Sequence, residues 1–168
     1  MKKHYVNLLA VSICVTLPGA MKADENRLHD VAAIESCLLD QSDRNIALAH
    51  CTGTIVKTCR DDQTSSATDM DCTDRETEAW VAVYEQSRDS LLRSARLQRI
   101  DGAMDALHQS ISEFEASLYR SCPFAVGQWP AEALLRRLSS FDCVRDAEAQ
   151  RAVEFHFWDR DIRHLSGQ

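Results

Sequence analysis

Seven cysteines are the residues whose type promises chemistry, and six of them, Cys37, Cys51, Cys59, Cys72, Cys122 and Cys143, lie beyond the first twenty-three residues. Thiols can ligate a metal, attack a substrate or pair with one another. No Cys-x-x-Cys or His-x-x-x-His occurs, so the usual zinc spacings are missing and no metal or cofactor is expected. His50 beside Cys51 offers a Cys–His nucleophile on paper, but an even number of cysteines in an exported chain leaves no thiol free after pairing. His156 sits in the aromatic run Phe155–Trp158, a context that suits core packing. The carboxylate pairs Glu76 with Glu78 and Glu113 with Glu115 are two residues apart and so do not share a helix face. No glycine lies within five residues of another, which rules out a Gly-rich phosphate cradle. The expected chemistry is therefore disulfide formation, with no catalytic residue.

The elements that must bring these cysteines together read as helices. Met104, Leu107, Ile111, Phe114, Leu118 and Cys122 recur at intervals of three and four, one apolar stripe on one helix. A preceding helix carries Trp80, Tyr84 or Val83, Leu91 and Ala95, with Thr73-Asp74-Arg75-Glu76 reading as the capping box at its start. A last helix, capped by Ser140, carries Val144, Ala147, Phe155, Trp158, Ile162 and Leu165. Two shorter helices are expected over 27–39 and, after the cap-like Ser42-Asp43, over 44–59. The fold class is all-α, about five helices in a disulfide-stapled antiparallel bundle. If 44–59 is one helix, Cys51 and Cys59 are ~12 Å apart on one face and cannot bond. The preferred set is Cys37–Cys51, Cys59–Cys72 and Cys122–Cys143, the last stapling a helical hairpin. Its nearest rival pairs Cys37 with Cys59 and Cys51 with Cys72.

Residues 1–23 have the form of a secretory signal: Lys2 and Lys3, the apolar run Leu8–Leu17, then Pro18, Gly19 and Ala20. Cys14 follows Ile13, where a lipid-attachment motif needs a small residue. Residues 24–168 then form a single domain, periplasmic or secreted, with no membrane span. Cleavage removes three lysines and no acid, leaving 16 basic and 26 acidic residues, a net charge of −10. Such a surface repels nucleic acid and anionic lipid and attracts basic partners. Two places could contact one. Phe124 and Trp129 lie in the turn after Cys122, where Trp129 either displays an aromatic or folds back as a lid; Asp61 and Asp62 open the polar stretch 60–71.

The order of features resembles the LprI family of small exported helical proteins described as lysozyme inhibitors. The resemblance rests on Cys72, Arg75-Glu76 and Trp80, then Leu107, Phe114 where the family has Trp, and Cys122, followed by Gln128-Trp129, Cys143, Gln150 and Ala152. It covers residues 37–153. Tyr84-Glu85, Ile111 and Ser117-Leu118-Tyr119 depart from the family pattern. The resemblance implies a non-enzymatic, lysozyme-inhibitor-like binding protein that blocks a basic lysozyme sterically. The alternative is a cell-envelope structural or assembly module that binds another exported protein.

Overall fold

The structure is a computed structural model and describes residues 18–61, 69–97, 102–118 and 133–165. Among these residues the chain is all-helical: α1 (Pro18–Leu39), α2 (Arg44–Cys51), α3 (Thr54–Asp61), α4 (Asp69–Leu97), α5 (Ala103–Leu118) and α6 (Ala133–Leu165). None of these helices is long and apolar enough to cross a membrane. α1 begins inside the segment expected to be a signal, crossing the boundary at Ala23.

The expected helix over 44–59 is instead two. α2 ends at Cys51, and Gly53 adopts φ +87° before α3 begins. The apolar positions Leu48, Cys51, Ile55 and Cys59 keep helical spacing through the break, so periodicity alone does not reveal it. Asp43 starts α2 as expected, its carboxylate accepting the N–H groups of Asn45 at 2.8 Å and Ile46 at 3.1 Å. Two other starts differ from expectation. α4 begins at Asp69, ahead of the Thr73–Glu76 box, and α6 begins at Ala133, ahead of Ser140.

Successive rods alternate in direction. Arg44, at the start of α2, reaches Glu154 and Asp161 near the end of α6, while Thr52 lies by Cys143 and Ala147. The α2–α3 segment therefore runs down α6. Tyr84 packs on Phe155 and Ser94 hydrogen-bonds to Asp159 higher up, so α4 and α6 climb together, with α5 descending between their ends. The most extensive contact is between α4 and α6. Its core holds Trp80, Phe155, Phe157 and Leu91, joined by Ile34 and Leu38 of α1, all fully buried. Each such side chain contributes ~1.5–3 kcal/mol by leaving water. Two described bridges staple the bundle: Cys37–Cys51 ties α1 to α2, and Cys59–Cys72 ties α3 to α4. These are pairings of the preferred set, not its rival. Cys143 is also disulfide-bonded; Cys122, its expected partner, lies outside the described residues.

Candidate functional site

The consecutive residues Arg75 and Glu76 of α4 face different neighbours. Arg75 forms a two-pronged ion pair with Asp30 of α1, one arm from Nη2 to Oδ1 at 2.7 Å and the other from Nε to Oδ2. Asp30 is buried, and the planar guanidinium suits such a carboxylate because both oxygens are bonded at once. Glu76, one residue on, is fully buried with its carboxylate turned to the break before α3. Its Oε1 accepts the N–H of Gly53 at 2.6 Å and the indole N–H of Trp80 at 3.1 Å, and its Oε2 accepts the N–H of Val56 at 2.8 Å. A helix leaves its first N–H groups without internal partners and carries partial positive charge there. Glu76 thus caps α3, a helix about twenty residues upstream, and not the helix on which it sits. The acidic residue of the expected capping box is real as a cap, but its client is a tertiary neighbour.

Above this node the α4–α5–α6 junction carries a second polar group. Tyr84 donates its hydroxyl to Glu115, and the Arg151 guanidinium lies 3.6 Å from the centre of the tyrosine ring. Arg151 also bonds Glu148 at 2.6 Å. Burial and the bond to Glu115 push the Tyr84 hydroxyl well above the usual phenol range. That group is therefore held neutral and donating, which suits a structural clasp and not proton transfer near neutral pH. Among the described residues, no three His, Cys, Asp or Glu side chains gather as a metal site.

The outward face of α4 differs from both. Asp71, Asp74, Glu78, Glu85 and Asp89 are all exposed. At 100° per residue they fall within about 60° of arc and extend over ~27 Å of helix. Partial burial raises the pKa of Asp74, and the neighbouring charges of Glu78 and Asp71 raise it further. Carboxylates three and four residues apart on a helix repel one another by a few tenths of a kcal/mol per pair, an effect offset where Arg75, Arg88 and Arg93 stand three or four residues from Asp71, Glu85 and Asp89. Acids at 71, 74, 78, 85 and 89 carry the helical period in the sequence itself, a signal that carboxylate pairs spaced by two residues do not contain.

Of the expected contact residues, Asp61 ends α3 and is exposed, bordering a groove between α3 and α6 with Lys57, Asp142 and Arg145. A larger groove of about 620 Å³ continues between α2 and α6, past Thr52, Cys143 and Gln150. Asp62, Phe124 and Trp129 lie outside the described residues. No family model, no curated protein and no solved structure matches this chain.

Proposed function

We propose that the protein is an exported, non-enzymatic binding protein of the lysozyme-inhibitor kind, periplasmic or secreted, which meets a basic lysozyme through the acidic ridge of α4. The observation that carries this reading is the alignment of five exposed carboxylates on one face of a helix whose opposite side buries Trp80, Val83 and Leu91 in the core. Five carboxylates on one exposed face project a negative field that draws a partner of opposite charge. The resemblance to the LprI family supports the same reading, as does a disulfide framework compatible with a compartment outside the cytoplasm. The net charge of −10 expected of residues 24–168 would speed encounter with a cationic protein and make it salt-sensitive. Inhibition would be steric, with a rigid helix lying across the cleft in which two carboxylates hydrolyse the glycan.

The test is lysozyme turnover on purified cell walls with residues 24–168 added at micromolar concentration, at low and at moderate salt. Inhibition should appear at low salt and weaken as salt rises. Replacing Asp74, Glu78 and Glu85 with their amides should weaken inhibition while leaving the melting temperature equal or slightly higher, since repulsion has been relieved. Full turnover at low salt would remove lysozyme as the partner and leave the envelope assembly module as the surviving reading.

A further inference from the structure

We propose that α3 is a charge-latched flap: the Glu76 carboxylate seats its N-terminal end, the Cys59–Cys72 bridge fixes its other end to α4, and the seated end lifts, with Gly53 yielding between it and the bridged Cys51, without unfolding the bundle. Three independent features lead to this, and none depends on the lysozyme reading.

The first is the packing. Among the described residues, Val56, Cys59 and Cys72 form a small apolar cluster distinct from the main core that unites α1, α2, α4, α5 and α6. Among the described residues, Ile55 is the one α3 side chain that joins that main core. A segment whose burial is largely confined to a satellite cluster can open at lower cost than the core it borders.

The second is the hinge. Gly53 holds a left-handed φ of +87° at the break, and a Cβ placed there would meet nothing within 4 Å. The turn is thus a matter of backbone conformation and is not wedged by neighbouring atoms. Grooves flank it on both sides, one against α6 lined by Val56, Arg60 and Arg145, another lined by His50, Thr54 and Lys57.

The third is the anchor. Glu76 commits both oxygens to the N–H groups of Gly53 and Val56 and to the Trp80 indole, while fully buried. Its charge is balanced by the N-terminal end of α3, so the seat of the flap and the solvation of this carboxylate are one interaction. If the flap lifts, Ile55, Val56 and the Trp80 indole edge are uncovered together. The Cα atoms of Cys59 and Cys72, 5.7 Å apart, keep the helix beside α4 for reclosure.

Native-state hydrogen exchange on the oxidised chain tests this, with Glu76→Gln beside the wild type. Glutamine has the same shape but presents an N–H₂ group to one of the two backbone N–H donors, so it cannot satisfy both ends of the seat. In the wild type, the amides of 56–59 should exchange through an opening insensitive to low urea, at least about tenfold faster than those of 79–83 and 149–153. In Glu76→Gln the 56–59 amides should exchange at least about tenfold faster again, with the α4 and α6 amides unchanged. Wild-type α3 amides that exchange only with global unfolding would overturn the proposal. So would a Glu76→Gln chain that loses protection everywhere or fails to fold, because the carboxylate would then hold the whole bundle and not one flap.

Discussion

His156 is half-buried on α6 beside Phe157, their ring centres 5.6 Å apart. Its pKa is lowered from 6.5, chiefly by burial and then by the positive charges of Arg160 and Arg163, with Asp159 opposing them. The unfolded chain therefore binds a proton on this residue at a pH where the folded chain does not. Stability present above pH 6.5 should fall as the pH drops through the lowered value, because protonation favours the unfolded state. His156→Gln should flatten the loss of melting temperature between about pH 7.5 and the carboxylate range. Melting curves of both chains in a buffer series check this, and parallel curves would assign the acid sensitivity to other groups. The buried carboxylates follow a different rule. Asp30 has Arg75, Asp159 has Ser94 and Arg163, and Glu148 has Arg151, so each charge taken from water is met by hydrogen bonds.

At the scale of elements, the break between α2 and α3 separates local from tertiary control. Leu48, Cys51, Ile55 and Cys59 would suit one continuous helix, and only the left-handed Gly53 with Glu76 opposite it divides the segment. Because a Cβ at Gly53 meets no neighbour, Gly53→Ala should cost only the backbone penalty of a left-handed residue, ~1–2 kcal/mol. Urea unfolding should show a lower midpoint with an unchanged slope. A neutral substitution would mean that the segment readily straightens into one helix. α4 follows its sequence closely, since Trp80, Tyr84, Leu91 and Ala95 are all buried, whereas on α6 the expected Leu165 is exposed and Phe157, off the expected stripe, is fully buried. Their starts were less legible, because the capping signals at Thr73 and Ser140 fall inside helices that begin earlier, at Asp69 and Ala133. Ser and Thr are tolerated inside a helix, at a small cost, when the side chain bonds back to the preceding turn, as Thr77 does to the Thr73 carbonyl at 2.8 Å.

Across the whole molecule the two described bridges close segments of similar length, with separations of 14 and 13 residues, so chain entropy alone gives each about 3 kcal/mol. Their surroundings are not equal. Cys51 belongs to the main core, whereas Cys59 and Cys72 belong to the satellite cluster under α3. Replacing Cys37 and Cys51 together with Ala should lower the global melting temperature more than replacing Cys59 and Cys72 does. The second pair should act mainly on α3, raising its exchange and its susceptibility to protease. Calorimetry of the two double variants decides this; equal losses of melting temperature would show that α3 is as tightly joined to the bundle as α1 and α2.

The sequence by itself determined that the chain is helical and which apolar stripes could face a core, because these depend on periodicity; between the two sets of cysteine pairings it left open, and for Leu165, exposed at the end of α6, the packing decided. Helical spacing places Trp80 with Leu91, and Ala147 with Phe155, on common apolar faces, and these are buried. The cysteine separations suit helix-to-helix staples in either of the two pairings, and the packing of α1, α2, α3 and α4 selects Cys37–Cys51 and Cys59–Cys72. What only the tertiary structure decided is where the ionisable groups find their partners. Glu76 reads locally as the end of a capping box, yet its carboxylate bonds Gly53 and Val56, 23 and 20 residues away, while the adjacent Arg75 turns to Asp30, 45 residues away. A charged side chain carries no period that names its partner, because attraction between ions depends on separation in space and on burial, and both are set when α1, α3 and α4 pack together.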